Sequence, residues 1–258
     1  MSADDAATDA RIAHLEQLVQ RLQHETDRNA ARGAVENLFS TYMLLHNAFL
    51  DEQIIDLWVR PGTPGIMARY TNNGKYTTYD SVMEYHRGRP TPVGKLIFHY
   101  TTTPAIEVAG DGETAKGVWI VAGLESGVTT PAEAAKLPDF MFSPKELHGN
   151  KVWAHWVWVK YELDFLKQDG VWRIWKFRCI EVARAPYEEN WISFAEKNAA
   201  AFDLDIKYFG DDGEVVFMPP TDEPIVHEHW PYRPDARVEL APKPPVPYRT
   251  YADIDAEE

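Results

Sequence analysis

Apolar side chains in the first sixty residues recur at steps of three and four, which is the spacing of one face of an α-helix. The first stripe lies in a helix predicted from Asp9 to about Asn29, and it consists of Ile12, Leu15, Val19 and Leu22. Because this stripe is narrow and the other faces are polar, it predicts a short coiled-coil seam or docking against another subunit. A frayed N-terminal helix is the alternative interpretation.

The same spacing predicts a second helix, whose apolar face consists of Val35, Leu38, Tyr42, Leu45 and Phe49. Asp51 is a candidate N-cap of a third helix that reaches Trp58 and ends at Pro61. A fourth, short helix is predicted from Tyr79 to His86.

Four stretches rich in β-branched and aromatic residues follow, with turn sequences such as GDGE and KQDG between them. They run from Lys95 to Val108, from Ala115 to Thr129, from Lys151 to Leu166 and from Val171 to Val182. In the third stretch, apolar and charged residues alternate, which indicates one buried and one solvated sheet face. Helices followed by long strands predict an α+β fold with the helices packed on one face of an antiparallel sheet.

Two further segments have their own composition. Residues 130–150 form a proline-containing insertion between two strands, and this insertion is a candidate lid. A helix is predicted from Tyr187 to about Ala201, and the proline-rich, acidic segment after it is expected to wrap a neighbour or to stay mobile.

Composition and charge narrow the possible classes of protein. A chain of 258 residues with 45% hydrophobic side chains suits one domain with extensions. Its formal net charge of −14 argues against nucleic acid and an anionic membrane as partners, since both need a positive surface. No apolar run approaches a membrane span and the first residues are acidic, so the chain is expected in the cytoplasm. The single cysteine, Cys179, is predicted to be a buried core thiol.

Two long sequences, FHYTTTPAIEVAGDGETAKGVW and AHWVWVKYELDFLKQDGVWRIWKFRCIEV, combine a histidine-bearing strand, a GDG turn and a closing D-G-x-W-x-I hairpin. With the preceding helices, they resemble the SnoaL-like branch of the nuclear transport factor two-like (NTF2-like) superfamily over roughly residues 31–187. The resemblance implies a cone-shaped fold, in which a strongly curved antiparallel sheet wraps the helices around a pocket. Residues 1–30 would then be an N-terminal helix with a possible oligomer contact, and residues 188–258 a C-terminal helix and wrapping tail.

Within that superfamily, the long aromatic chain with extended termini is most similar to the cofactorless diarylpropane (γ-formaldehyde) lyases of lignin-degrading sphingomonads. This resemblance implies cleavage of a C–C bond of a diarylpropane diol to a stilbene, with release of formaldehyde and water. A dehydratase, isomerase or cyclase of a hydroxylated steroid, polyketide or aromatic compound is the alternative. A non-catalytic small-molecule-binding or assembly subunit is a second alternative, because the fold alone does not determine the function.

Candidate catalytic residues are His99, His46, Tyr42 and Arg178. His99 occupies the strand position at which the dehydratase relatives place a pocket histidine, and imidazole can exchange protons near neutral pH. Tyr42 and His46 lie four residues apart on one helix face. A satisfied sheet histidine, a core ring and an exposed helix residue are the respective structural alternatives for His99, Tyr42 and His46.

Candidate substrate-binding residues are Lys176, His155, Tyr100, Tyr76 and Trp119, and Tyr70 is a further possible phenol. Lys176 and Arg178 share strand parity with Trp172 and Ile174, so they project into the pocket if that face lines it. If the face of Trp175 and Phe177 is the buried one, both cations are solvated. By the same parity argument, His155 faces inward.

Familiar cofactor motifs are missing from the sequence. It contains no phosphate-binding glycine loop, G-x-S-x-G elbow, HExxH or dinucleotide-binding fingerprint, which leaves proton transfer as the expected chemistry. The sequence HEH at residues 227–229 lacks a third spaced ligand, so neither a metal nor another cofactor is expected. The expected partners are a small aromatic or polycyclic substrate and further copies of the chain, as a dimer or trimer.

Overall fold

The computed structural model of the protein describes residues 3–70, 74–197, 206–210, 212–224 and 232–252. Its helices are α1 (Ala3–Asn47), α2 (Asp51–Ile54), α3 (Tyr79–His86) and α4 (Pro131–Ala134). Its strands are β1 (Met67–Arg69), β2 (Gly74–Lys75), β3 (Leu96–Val108), β4 (Thr114–Thr129), β5 (Glu146–Leu147), β6 (Asn150–Gln168), β7 (Val171–Pro186), β8 (Ile206–Phe209), β9 (Val215–Phe217) and β10 (Glu223–Pro224). The expected α+β organisation, helices first and long strands after, is confirmed.

The two helices predicted at the N-terminus form one helix of 45 residues, so the predicted break near residue 30 is wrong. Neither a proline nor a capping sequence interrupts this stretch, and helical hydrogen bonding therefore continues through it. From Ala31 onward the helix buries Val35, Phe39 and Tyr42 in the core. The stripe from Ile12 to Leu22 stays exposed on the chain, and its contact with another subunit remains a prediction.

Asp51 is the first residue of α2, and the prediction that it caps this helix is wrong. Leu50 occupies the N-cap position without a side-chain hydrogen bond. The Asp51 carboxylate is 2% exposed and contacts His86 and Arg89 instead. By contrast, α3 starts and ends where its sequence predicts, because Thr78 and Ser81 close a capping box at its first turn.

The main sheet has the strand order β1-β7-β6-β4-β3, with β5 beside β6. Strands β3, β4, β6 and β7 are antiparallel, whereas β1 pairs with β7 in parallel, so the sheet is mixed and not purely antiparallel. Its inner face curves around the second half of α1. Two small sheets, β2 with β10 and β8 with β9, complete the described strands.

Strand β7 contains two β-bulges that change which of its side chains face inward. Ile174 pairs with Phe165 and Lys176 with Asp164, so Trp175 is an extra residue. At the second bulge, Glu181 pairs with Val159 and Ala183 pairs with Trp158, so Val182 is an extra residue. Each bulge moves the following side chains to the other face of the sheet.

The insertion at residues 130–150 and the C-terminal tail both pack on the domain. The insertion carries α4, a 3₁₀ turn at Asp139–Met141 and β5, which pairs with the start of β6. The tail residues 232–252 contact their own chain on the outer sheet face, where Tyr248 donates a hydrogen bond to Asp164. Within this range the tail is therefore held on its own domain, and its contact with a neighbouring subunit stays a prediction.

The predicted helix from Tyr187 to Ala201 is replaced by turns over residues 187–194. Residues 195–197 are helical, and the remainder of the predicted helix lies outside the described residues. Across the described parts of the chain, no helix is both long enough and apolar enough to span a membrane.

Candidate active site

A cavity of about 500 Å³ lies between the inner face of the sheet, the end of α1 and the segment around α3. Its aromatic wall includes Tyr42, Tyr70, Tyr85, Trp153, Tyr161 and Phe177. Its polar wall includes His46, His99, Glu125, Glu181 and Arg184 at one side and Arg89, Lys95 and Lys207 elsewhere. A volume of this size is typical of sites for small organic molecules, which range from about 300 to 1,000 Å³.

The insertion at residues 130–150 and the hairpin of β8 and β9 cover the cavity. The insertion contributes Leu137, Met141 and Phe142, and the hairpin of β8 and β9 contributes Tyr208 and Phe209. The two segments are joined where Lys136 Nζ donates a hydrogen bond to the Gly213 carbonyl at 2.7 Å and lies 3.4 Å from Glu214. This placement agrees with the expectation that the insertion covers the pocket, and it adds the C-terminal hairpin as a second part of the cover.

His99 is held in β3 by contacts to its backbone. Asn47, the last residue of α1, donates a hydrogen bond to the His99 carbonyl at 2.8 Å and accepts one from the His99 amide at 3.0 Å. Gly123 pairs with His99 across β3 and β4, and a Cβ at this glycine would collide with the His99 ring. The helix end and the glycine together fix the imidazole against the cavity wall.

Four ionisable side chains form a continuous cluster in this wall. His99 Nε2 lies 3.1 Å from Glu125 Oε1, and Arg184 Nη1 lies 2.8 Å from Glu125 Oε2. Arg184 also donates through Nε to Glu181 Oε1 at 3.1 Å. One guanidinium therefore bridges two carboxylates, and one of these carboxylates contacts the imidazole. This cluster is called the His99 cluster below.

The two carboxylates of the His99 cluster have different proton affinities. Burial alone would raise the pKa of Glu125, but its pairing with Arg184 and its contact with His99 hold that pKa well below its usual range. Burial raises the pKa of Glu181 to about 7, and its pairing with Arg184 does not offset this. Near neutral pH, Glu125 is therefore an anion while Glu181 can give and take a proton.

His46 and Tyr42 line the cavity beside this cluster. The ring centroids of His46 and His99 are 5.6 Å apart, and those of Tyr42 and His46 are 6.1 Å apart. Burial and the nearby His99 lower the pKa of His46 to about 3, so this imidazole is neutral. Burial likewise raises the pKa of the Tyr42 hydroxyl, which stays protonated.

A second polar group meets the cavity on the far side of Tyr42. His86 Nε2 lies 2.9 Å from the Tyr70 hydroxyl, and His86 Nδ1 lies 3.4 Å from Asp51 Oδ1. Arg89 Nη1 lies 3.4 Å from the same carboxylate oxygen. Tyr70 lines the cavity, whereas His86 is completely buried.

The cavity does not contain Arg178 or Lys176. The extra residue Trp175 reverses the parity after Ile174, so Phe177 and Cys179 face the cavity instead. Arg178 lies on the outer face, 3.9 Å from both Glu162 and Asp164. Lys176 is also on the outer face but is buried, in a region that the tail covers.

The other predicted substrate-binding residues also lie outside the cavity wall. His155 faces inward, as its parity predicts, but it is held under the insertion by a 3.0 Å contact between its Nε2 and the Met141 carbonyl. Tyr100 is half exposed on the outer face. Tyr76 and Trp119 are core residues, with the Tyr76 hydroxyl donating to the Pro219 carbonyl and the Trp119 ring packed on Phe39.

Sequence reasoning missed Glu125, Glu181, Arg184, Arg89 and Tyr85 as cavity residues. Glu125 could have been found, because it shares strand parity with Val121 and Gly123 in β4. Arg184 could not, because its inward direction depends on the bulge at Val182.

Among the residues that the structure describes, no group of three or more histidine, cysteine and carboxylate side chains is arranged to hold a metal ion. The HEH sequence at 227–229 lies outside those residues.

Comparisons with known proteins identify a domain family. The profile of a SnoaL-like domain family matches residues 27–178. A hexachlorocyclohexane dehydrochlorinase, LinA type 2, is similar in structure at 17% sequence identity and a TM-score of 0.46, over 63% of this chain and 92% of the other. The LinA type 3 dehydrochlorinase from Novosphingobium barchaimii LL02 gives 17% identity and a TM-score of 0.46, over 64% and 96% of the two chains. No curated protein matches the sequence.

Proposed function

The chain belongs to the SnoaL-like domain family, and from this premise we propose that it is a cofactor-independent lyase acting by acid–base chemistry on an aromatic diol. The specific substrate that we propose is a lignin-derived diarylpropane diol. The products are a stilbene, formaldehyde and water. This substrate was suggested by the resemblance of the sequence to the diarylpropane lyases, and the geometry of the cavity is compatible with it.

The observation that carries the proposal is the His99 cluster. A lyase of this kind needs one group that accepts a proton and one that donates a proton within the same pocket. His99, backed by the anionic Glu125, is suited to accept a proton, because the carboxylate stabilises the imidazolium that forms. Glu181 is suited to donate one, because its pKa of about 7 leaves a protonated fraction at neutral pH.

The proposed reaction balances in protons and electrons. His99 takes the proton of the terminal hydroxymethyl group, and the O–H electron pair becomes the second bond of formaldehyde. The C–C bond breaks, and its electron pair forms the C=C bond of the stilbene. The benzylic C–O bond breaks in turn, and the leaving hydroxide receives a proton from Glu181 and departs as water. His99 gains one proton and Glu181 loses one, so release of the His99 proton to solvent and uptake of one by Glu181 restore both groups for the next turnover.

The remaining cavity residues fit binding and charge stabilisation. Arg184 lies between the two carboxylates and takes the role that the sequence had suggested for Arg178, which is to stabilise developing oxygen charge. Tyr42, Tyr161 and Phe177 provide flat apolar surface for two aromatic rings. Holding both rings would fix the diol against the His99 cluster.

A dehydratase acting on a hydroxylated apolar molecule is a second candidate function. The same arrangement of a base at His99 and an acid at Glu181 suits removal of water across a C–C bond without its cleavage. The two functions differ in their products, since only the lyase releases a one-carbon aldehyde.

The test is incubation of purified protein with a diguaiacylpropane diol, after treatment with a chelator and gel filtration. Stilbene absorbance and trapped formaldehyde are measured in parallel. Equal amounts of both products from the parent, lost in His99→Gln and retained in Tyr100→Phe on the outer face, are the expected result. Intact substrate with folded parent protein would refute the lyase proposal, and an alkene without formaldehyde would support the dehydratase.

A further inference from the structure

The Tyr70, His86 and Asp51 side chains form a hydrogen-bonded chain that is separate from the His99 cluster and has no part in the reaction above. We propose that this chain is a proton relay, called the Tyr70 relay, which binds a phenolic hydroxyl of the ligand and accepts its proton. This inference rests on the proposed function in one respect, which is that the ligand binds in the cavity. It adds a ligand class, phenols, and a second place of proton transfer.

The order of the three groups follows from their distances and burial. Asp51 and His86 are almost fully buried and lie behind the wall, while the Tyr70 ring is part of the wall itself. His86 Nδ1 faces Asp51 at 3.4 Å and His86 Nε2 faces the Tyr70 hydroxyl at 2.9 Å. A neutral imidazole that donates its Nδ1 proton to the carboxylate must accept the Tyr70 proton at Nε2.

This direction of hydrogen bonding determines what Tyr70 offers to a ligand. Since the Tyr70 O–H donates to His86, the lone pairs of the phenolic oxygen are directed elsewhere and can accept a proton from a ligand hydroxyl. When the ligand O–H bond breaks, its proton bonds to the Tyr70 oxygen and the Tyr70 proton moves to His86 Nε2. The products are a ligand phenolate and an imidazolium, which the Asp51 carboxylate stabilises.

Charged and titratable neighbours surround the relay on all sides. Arg89 holds Asp51 from α3's C-terminal side, and Lys207 of β8 is anchored close by on the carbonyls of Glu84 and Arg87. Tyr42 of α1 meets His86 edge-on at 6.3 Å between ring centroids. Burial lowers the pKa of His86, while the His86 hydrogen bond and the Arg89 charge outweigh burial and lower that of Asp51. The resting relay is therefore a neutral imidazole against an anionic carboxylate.

A phenol fits this end of the cavity better than an aliphatic alcohol. The Tyr70 and Tyr85 rings are stacked with centroids 3.7 Å apart, and they present aromatic surface beside the Tyr70 hydroxyl. Arg89 lies over the Tyr85 ring at 5.4 Å from its centroid and places positive charge near the phenolate that would form. A phenol is also far more acidic than an ordinary alcohol, so transfer of its proton to an imidazole costs much less free energy.

The experiment uses 4-nitrophenol as the probe, because its absorbance distinguishes the phenol from the phenolate. The probe is titrated with parent protein at a series of pH values, and both the affinity and the ionised fraction of the bound probe are measured. We expect the bound probe to ionise at a lower pH than the free probe. In Tyr70→Phe, which keeps the ring stack, we expect this shift to disappear and the affinity to fall by about tenfold.

Two further variants separate a relay from a merely structural role. Asp51→Asn keeps the shape of the buried group but cannot stabilise an imidazolium, so it should also abolish the shift. Tyr76→Phe, which removes a phenol hydroxyl from the core outside the cavity, should retain both shift and affinity. Thermal unfolding of each variant checks that the fold is intact.

Each outcome decides the inference. Loss of the shift in Tyr70→Phe and Asp51→Asn, with Tyr76→Phe unchanged, supports the relay. A shift that persists in Tyr70→Phe would assign it to the cations Arg89 and Lys95 and would overturn the relay, as would parent protein that fails to bind the probe. The experiment measures ionisation of the bound probe and no reaction product, so a positive result supports the relay even if the protein does not cleave the diol. Conversely, cleavage of the diol without a shift in probe ionisation would support the lyase and overturn the relay.

Discussion

Arg184 Nη1 and Glu125 Oε2 lie 2.8 Å apart although their strands, β7 and β4, are not neighbours. Strand β6 lies between them, with Val157 paired with Arg184 and His155 paired with Glu125. This contact joins the three strands on the cavity side. It also places Arg184 at the centre of the His99 cluster, so changes at this residue are the most direct test of it.

Replacing Arg184 with lysine should lower the free energy of unfolding by about 2 kcal/mol, because one ammonium cannot bridge Glu125 and Glu181 as a guanidinium does. Arg178→Lys is the matched control on the same strand, and its loose 3.9 Å pairs on the outer face should make the change smaller than about 0.5 kcal/mol. Urea unfolding measures both. Equal effects would contradict the assignment of the two faces of β7.

Glu181→Gln should change stability in a way that depends on pH. The folded protein keeps the Glu181 proton up to about pH 7, whereas the unfolded chain loses it near the ordinary value of 4.5. The free energy of unfolding of the parent therefore falls, through this group, as the pH rises from about 4.5 to 7. Glutamine does not ionise, so the variant should gain roughly 3 kcal/mol relative to the parent across this window, at about 1.4 kcal/mol for each pH unit.

Urea unfolding of the parent and Glu181→Gln at pH 4.5, 6 and 8 tests this prediction. Glu162→Gln, which removes a carboxylate from the outer face of β6, is the matched control. A stability difference between parent and Glu181→Gln that stays constant with pH would show that Glu181 ionises at its ordinary pKa in the folded protein.

Gly123→Ala should displace the His99 ring. The added methyl group would lie 2.6 Å from the Phe98 carbonyl as well as against the imidazole, and neither the strand nor the ring can yield without breaking the contact to Glu125. We expect a loss of about 2 kcal/mol in stability and at least a tenfold loss of turnover. Gly110→Ala, where the added methyl group would meet only the Arg249 carbonyl at an ordinary 3.8 Å, tests alanine substitution away from the cavity. Parent-like turnover in Gly123→Ala would mean that the position of His99 does not matter.

Asn47→Ala removes both hydrogen bonds that the end of α1 makes to the His99 backbone. Asn47→Asp removes only the donor and places a carboxylate against the His99 carbonyl. We expect both variants to lose about 1–3 kcal/mol, since each leaves a backbone group of β3 without its partner. Amide hydrogen exchange at His99 should be faster in Asn47→Ala than in Asn47→Asp, because aspartate still accepts from that amide.

Lys136→Met should loosen the cover of the cavity without unfolding it. The contacts of Lys136 with Gly213 and Glu214 are exposed, so the expected change is a two- to fivefold faster dissociation of bound 4-nitrophenol. Stopped-flow dilution measures the rate. Lys151→Met, which breaks a comparable pair with Glu146 that does not reach the hairpin, should leave the rate unchanged.

The long strands and α3 could be predicted from the sequence because their information is local. Runs of β-branched and aromatic residues between turn sequences gave the four strands within a few residues, and the helix predicted from Tyr79 to His86 has the bounds of α3. The histidine at position 99 was also found, because the resemblance to the dehydratase relatives implies a pocket histidine at this position of the strand. Helix α1 was divided wrongly because the change from an exposed to a buried stripe near Ala31 resembles a boundary between two helices.

The rest of the cavity wall depends on interactions between distant residues. Asp51 has the residue type of an N-cap, but its carboxylate contacts His86 of α3 and Arg89 in the segment after α3 instead. Lys176 and Arg178 were assigned to the cavity by counting in twos along β7, which fails where an extra residue is inserted. Neither the contacts of Asp51 nor the bulges of β7 can be recognised from the residues next to them in the sequence.

The bulges of β7 have a consequence for anyone who aligns this chain with its relatives. A relative without the extra residue at Trp175 needs a one-residue gap, and gap penalties give no reason to open one inside a strand. Without this gap, each position from Trp175 to Glu181 is aligned with a residue of the relative that faces the other side of the sheet. If the relative also lacks the extra residue at Val182, the shift becomes two residues, and inward side chains are again aligned with inward ones. In such an alignment, an inward-facing arginine of a relative would be placed in the column of Arg178, although its counterpart in space is the adjacent residue of β7. Functional residues on this strand are therefore transferred safely only by superposing backbones.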